Sequence, residues 1–486
     1  MSIFSLFVVT VRQKIAYNAA FSSIARVIDG VLALIVTAYL TRYLGPSGFG
    51  NYIIVFTFWY IFTVLADLGL YQITVREISQ NKEKEPEIVN NAFTLRLSAT
   101  VLVFFIGILS LFFLPYSHEL KLGLILGAVG FWALSGGQVL VGVFQKNLRI
   151  DKIAIAEIAG RIVQLLLTLY VIEKDLGFLN VIAVFSASAL INLTVICFFA
   201  NKFVALRLAF DMAVWKRMIK EGWPLAVAAI FVMVYFRLNA IILSLMKGEE
   251  AVGVFGVGYK ILENLIFFPT MFVGLVMPIM SQTAKNDLAR FKEVIQKTFN
   301  ALIVFLIPMV AFTVILSDKI VYAIGGENFS QSAGVLNILI FAAALIFLGT
   351  LWSNAIIALG AQRQLAKVYF FGAVVSIIAN ISLIHFFSYD GAAWATLLTE
   401  FLVTAMMALY LRQIIAYAPS AKKLSKVIIA TLAASLLIIF IGNKVIFSSP
   451  FIALGALLPA GGIFYFLALF LLNGFNIKEI GSFLKK

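Results

Sequence analysis

Apolar residues in this chain come in long runs, separated by short clusters of charged residues, glycine or proline. The runs fall near 15–40, 51–71, 93–114, 120–145, 152–172, 177–200, 223–246, 251–281, 298–317, 331–358, 365–387, 391–413, 424–442 and 451–473. A helix needs about 20 apolar residues to cross about 30 Å of hydrocarbon, and each run is long enough. The runs are also too long and too uniformly apolar for the alternating strands of a membrane barrel. The pattern therefore predicts an all-α polytopic membrane protein with fourteen transmembrane helices.

The charges between the runs give an orientation. With the N-terminus placed inside, the inner segments carry 27 Lys and Arg residues and the outer loops carry 6. Arg96 is counted with the inner group, beside Arg76, Lys82 and Lys84. Basic residues collect on the cytoplasmic side of membrane proteins, so both termini are expected there, in a plasma (inner) membrane. The longest inner loops are expected near 72–92, 201–222 and 282–297. Met1–Val11 is apolar, but its charges, Arg12 and Lys14, follow it. A cleaved signal peptide has its charges first, so this start reads as a short interfacial segment.

Composition removes several function classes. Of 486 residues, 62% are hydrophobic and 12% charged, which no soluble core accommodates. The formal net charge of +14 suits cytoplasmic loops better than nucleic-acid binding. Cys197 is the single cysteine, and His118 and His385 are the only histidines, so neither a disulfide nor a Cys/His metal cluster is expected. The chain has no GxxxxGK[ST] phosphate loop and no HExxH. We expect no cofactor, no metal and no enzymatic activity. Transport would draw on ion gradients, membrane potential or substrate consumption.

An internal repeat is visible in the turns. Gly45, Gly50 and Tyr52 match Gly248, Gly253 and Phe255 at one offset, each set lying between two runs. Six runs separate the two sets, so the repeats have the same orientation, as in transporters built from parallel repeats. The expected organisation is an N-lobe over 1–205 and a C-lobe over 206–415, two pseudo-symmetric groups of six helices. Residues 416–486 add two further helices and a cytoplasmic tail.

These same residues carry a family resemblance. Arg42-Tyr-Leu-Gly45-Pro-Ser-Gly-Phe49-Gly50, followed by Asp67-Leu-Gly69-Leu, resembles the opening helices of the polysaccharide transporters, the lipid-linked oligosaccharide flippases. Val252-Gly253-Val-Phe255-Gly-Val-Gly-Tyr259-Lys260, with Phe268-Pro269 and Pro278-Ile-Met-Ser281, is similar to their eighth helix. The resemblance covers the whole chain. It implies membership of the multidrug/oligosaccharidyl-lipid/polysaccharide exporter superfamily and alternating access of two lobes around a central cavity. It also implies a lipid-linked glycan substrate, with a polyprenyl tail lying in membrane lipid, and polysaccharide-assembly enzymes as partners. The alternatives are a peptidoglycan lipid-precursor flippase and a cation-coupled multidrug antiporter on the same scaffold. A membrane glycosyltransferase or glycan ligase fits less well, because the outer loops are short.

Charges inside the runs mark candidate sites, since a charge near the bilayer centre must face water or a partner. Arg26 and Asp29 lie three apart in the first run, Glu157 and Arg161 four apart in the fifth, and Lys260 and Glu263 three apart in the eighth. No acidic residue lies within one helical turn of Arg237 along the chain, and no basic one within a turn of Glu400. Arg26, Arg161, Arg237 and Lys260 are the expected substrate-binding cations, because Arg forks and Lys ammonium groups suit a pyrophosphate. Asp29, Glu157, Glu263 and Glu400 are counter-charge or coupling candidates. The same pairs also suit a purely structural role, holding helices together. Asp67, Pro269 and Pro278 are gating or hinge candidates, and Pro308 is read as a further kink.

Overall fold

The computed structural model describes residues 11–81 and 83–474. The expected interfacial start and the tail beyond Gly474 lie outside the described residues. What is described is helical: α1 (Val11–Leu65), α2 (Leu70–Gln80), α3 (Glu85–Ser110), α4 (His118–Lys146), α5 (Asp151–Glu173), α6 (Phe178–Ala200), α7 (Met212–Asn286), α8 (Leu288–Gly325), α9 (Ser332–Ala358), α10 (Gln362–Ile415), α11 (Leu424–Lys444) and α12 (Pro450–Leu471). Eleven of these, all but α2, are long and apolar enough to cross a membrane.

Three of the eleven are too long for one crossing. α1, α7 and α10 have 55, 75 and 54 residues, and at 1.5 Å per residue each would exceed about 80 Å if straight. Each is broken once by a residue with non-helical backbone: Gly45 (φ 65°, ψ −176°), Gly248 (φ 83°, ψ −179°) and Ser388 (φ 51°, ψ −129°). The described residues therefore hold fourteen spans. Gly45 and Gly248, paired in the sequence repeat, adopt nearly the same backbone, and glycine reaches a positive φ without Cβ strain. The aromatics that follow also correspond, with Tyr52 packed on Phe56 at 4.3 Å and Phe255 on Tyr259 at 5.3 Å between ring centroids.

The expected inner loops are largely helical. The 282–297 loop shrinks to Asp287, which caps α8 by accepting from the Arg290 N–H at 2.9 Å. The 72–92 region contains α2 and the first turns of α3. Arg96, counted above as a loop cation, is instead the twelfth residue of α3 and has no exposed surface.

The chain groups into two compact units, Met1–Ile241 and Ile242–Lys486. In the first, α4 packs on α1, α2, α3 and α6, and α5 packs on α1 and α6. Small residues on α4 permit the close approach. A Cβ at Gly123 would lie 2.6 Å from Phe178, and one at Gly130 2.6 Å from Phe185. In the second unit α9 packs on α8 and α10, while α11 and α12 pack on each other and on α8. The joint between α8 and the last two helices is apolar, built from Phe312 and Leu316, Ala434 and Ile438, and Leu457 and Leu469. The link from α10 to α11 is held by Gln296, near the start of α8. Its Oε1 accepts from the Tyr417 hydroxyl at 3.1 Å and the Ser420 N–H at 2.8 Å. Burial raises the Tyr417 pKa, which keeps the phenol a donor.

One polar contact in that joint follows from a proline. Pro308 lies inside α8 and has no N–H, so the carbonyl four residues earlier, at Val304, loses its helical donor. The Tyr465 hydroxyl of α12 donates to this oxygen at 2.7 Å, in a buried position. A double-mutant cycle tests the assignment. Tyr465→Phe should cost about 1–3 kcal/mol, the range for a buried acceptor left unsatisfied, seen as a lower melting temperature in detergent. In a Pro308→Ala background, where residue 308 regains its N–H, the same change should cost much less.

Candidate functional site

In the first unit, α1 and α5 bring membrane-depth charges together. Arg161 sits halfway along α5 and donates from Nε to Asp29 Oδ1 at 2.9 Å and from Nη2 to Asp29 Oδ2 at 3.3 Å. Its Nη1 donates to Gln164 Oε1 at 2.9 Å. The carboxylate and the amide thus fix the guanidinium plane, using three of the five N–H groups that an arginine carries. The side chains remain partly open, 30% exposed for Arg161 and 27% for Asp29. Glu157, one turn earlier on α5, is exposed and within electrostatic reach of Asp29, Arg26 and Arg161. Arg26 is exposed on α1 and also within reach of Tyr71.

This arrangement adds a contact that spacing along one helix does not suggest. A cross-helix pair, Asp29–Arg161, 132 residues apart, joins the two groups that spacing had kept separate. A bidentate fork needs two carboxylate oxygens in the guanidinium plane, which a neighbouring helix presents more readily than the same helix surface. The two arginines and two carboxylates sum to no formal charge. Arg237, in the part of α7 within the first unit, adds a cation, its guanidinium 4.7 Å over the Tyr60 ring.

In the second unit, Lys260 and Glu263 make the expected pair, Nζ to Oε2 at 2.8 Å, with side chains 24% and 20% exposed. Glu400 of α10 is buried, within electrostatic reach of Tyr369. Tyr369 in turn is hydrogen-bonded to the Ser353 side chain. α7 stays helical through both Pro269 and Pro278, the first buried and the second exposed.

Sequence reasoning missed one polar centre. Arg96 donates to Asp67 at 2.5 Å, to Ser135 Oγ at 2.7 Å and to Gln138 Oε1 at 3.1 Å. Thr100 adds a bond to Ser135 at 2.9 Å. Asp67 reaches Arg96 from the bend between α1 and α2, where Leu68 and Gly69 have positive φ. This centre is closed: every arm of the guanidinium is engaged, and the residue is fully buried. The one sequence signal was Asp67 itself, an acid in an apolar stretch with no base nearby along the chain.

Residues 15–284, more than half of the chain, match the family described as polysaccharide biosynthesis protein. The chain belongs to that family. Residues 224–381 also match the family named MatE. Among curated relatives, a putative O-antigen transporter of Shigella flexneri is 23% identical over 435 residues, covering 82% of this chain and all of the relative. A probable flippase, AglR, of Haloferax volcanii is 23% identical over 405 residues, covering 79% of this chain and 81% of the relative. The fold is shared with a solved structure of the lipid II flippase MurJ in an inward closed conformation. The TM-score is 0.75 at 13% identity, covering 92% of this chain and 97% of that one. An inward-facing multidrug resistance transporter of the MATE family and MOP superfamily superposes with a TM-score of 0.65 at 14% identity, covering 82% and 98%. This family member is a multi-pass membrane protein with the fold of the exporter superfamily that its motifs resemble.

The two arginine centres should separate by mutation. Arg96→Ala leaves the half-buried Asp67 without its cation and Ser135 and Gln138 without their donor, and breaking a buried pair costs about 3–5 kcal/mol. Folded protein recovered from membranes should fall sharply. Arg161→Ala removes a half-open side chain, so recovery should stay near that of the unaltered chain while transport is lost. Size-exclusion profiles after detergent extraction, beside a transport assay, read both outcomes.

Proposed function

We propose that this protein is a flippase that moves a polyprenyl-(pyro)phosphate-linked oligosaccharide from the cytoplasmic to the outer leaflet. The observation that carries this reading is Arg161. It is an arginine at mid-span, oriented by Asp29 and Gln164, half open, with two N–H groups beyond those its partners use. A cation at that depth is costly unless it faces water or an anion, and a phosphate oxygen suits the remaining fork. The names of the relatives, an O-antigen transporter and a glycan-pathway flippase, support the same class of cargo. The sugar head would pass through a hydrated path lined by Arg26, Arg161, Arg237 and Lys260 as two lobes alternate in access. The polyprenyl tail would stay in lipid. Asp29, Glu157, Glu263 and Glu400 would balance or couple these charges, and Asp67, Pro269 and Pro278 would serve the motion. Sugar-assembly enzymes would supply the substrate at the cytoplasmic face of the inner membrane.

Topology is the first test. Reporter fusions after Lys486 and within 72–92, between α2 and α3, should report the cytoplasm, and a fusion at Glu249 the outside. A reversal at any of the three would break the inside-to-outside reading.

Arg237 gives the second test. Arg237→Ala should abolish flipping of the lipid-linked glycan in reconstituted vesicles while leaving expression near normal. Arg237→Lys should keep part of the activity, since it retains the charge but loses the fork and much of the stacking on Tyr60. Parallel loss of folded protein and activity would make Arg237 structural. Normal flipping in Arg237→Ala would remove it from the path.

A further inference from the structure

The segment between α6 and α7 takes no part in the site above, yet it is held in place. Residues 205–211 form no helix, and four hydrogen bonds fasten their backbone to α3. Asn90 Nδ2 donates to the Ala205 carbonyl at 3.1 Å, and Asn90 Oδ1 accepts from the Arg207 N–H at 3.0 Å. Thr94 Oγ1 accepts from the Ala209 N–H at 2.9 Å, and Asn91 Oδ1 accepts from the Asp211 N–H at 2.9 Å. The strap is thus fixed from one side and uncovered on the other.

What it presents is apolar and basic. Leu208, Phe210 and Met212 are 65%, 65% and 61% exposed. α6, one of the apolar spans, ends at Ala200, and these side chains follow it within twelve residues. Lys202 and Arg207 are exposed on the same segment. The Lys202 ammonium lies 4.7 Å over the Phe198 ring, and that of Lys152 lies 5.0 Å over Phe199. Between 201 and 220 the chain has five Lys or Arg residues and one acid, Asp211. That carboxylate is occupied by capping α7, accepting from the Ala213 N–H at 2.8 Å and the Val214 N–H at 3.2 Å.

We infer that the 201–212 strap is a docking surface for anionic phospholipid headgroups, with Leu208, Phe210 and Met212 sunk among the upper acyl chains. Apolar side chains beside cations, at the end of a span, match the boundary of a negatively charged leaflet. Because α3 holds the strap, little ordering is needed when lipid binds.

The test uses the full chain with Cys197, its single cysteine, changed to Ser and Leu208 changed to Cys. The new thiol carries a fluorophore, and the protein is reconstituted into vesicles containing brominated phosphatidylcholine or brominated phosphatidylglycerol. Both lipids should quench the label, the anionic one more strongly at equal mole fraction. Lys202→Gln and Arg207→Gln should each weaken the preference by up to about fivefold, and high salt should do the same. Equal quenching by the two lipids, or a preference unchanged in both variants, would overturn the proposal. A label that neither lipid quenches and iodide does would also overturn it, leaving the face to a protein partner.

Discussion

In hydrocarbon every backbone N–H and C=O must find a partner within the protein, and this requirement governs the structure. It makes the apolar runs helical and confines most departures from helix to the ends of spans, at Gly45, Gly248 and Ser388. Where the helix loses a donor at Pro308, the Tyr465 hydroxyl replaces it. Where the chain leaves helix altogether, polar side chains take over. Asn90, Asn91 and Thr94 hold the strap after α6, and Gln296 holds the link after α10.

The same requirement applied to charged side chains separates two kinds of arginine. Arg96 is fully buried and bonded to Asp67, Ser135 and Gln138. Such a residue joins the α1–α2 bend to α3 and α4, with all three guanidinium nitrogens engaged and no surface open to a ligand. Arg161 is oriented with equal care but keeps part of its fork open. Its partners hold it in one geometry without closing it, which is the condition for meeting a ligand with little reorganisation. Arg237 is placed differently again, stacked on an aromatic face.

The repeat is physical as well as textual. The first break in each half is a glycine with nearly the same φ and ψ. In each half a polar residue near the start of α3 or α8 fastens the chain as it leaves a later span. The side chains differ, two asparagines and a threonine in one case and a glutamine in the other, but the task is the same. The fold itself is shared with a solved structure at 13% identity.

Hydrophobic period and run length determined the spans from the sequence alone, because crossing hydrocarbon leaves a chain few choices. Matching glycines gave away the repeat, since only a few residues tolerate the backbone those turns need. The acids and bases within the runs were legible too, because the membrane makes each of them conspicuous. Which charge meets which was not legible. Spacing offers only partners on the same helix, and Asp29 chose Arg161, 132 residues away. Nor did the sequence distinguish Arg96 from the loop cations beside it. Its burial depends on Asp67, Ser135 and Gln138 arriving from two other stretches of chain. Helix formation is a local matter settled by solvent, whereas the pairing of charges depends on which faces of different helices come together, and only the tertiary structure decides that.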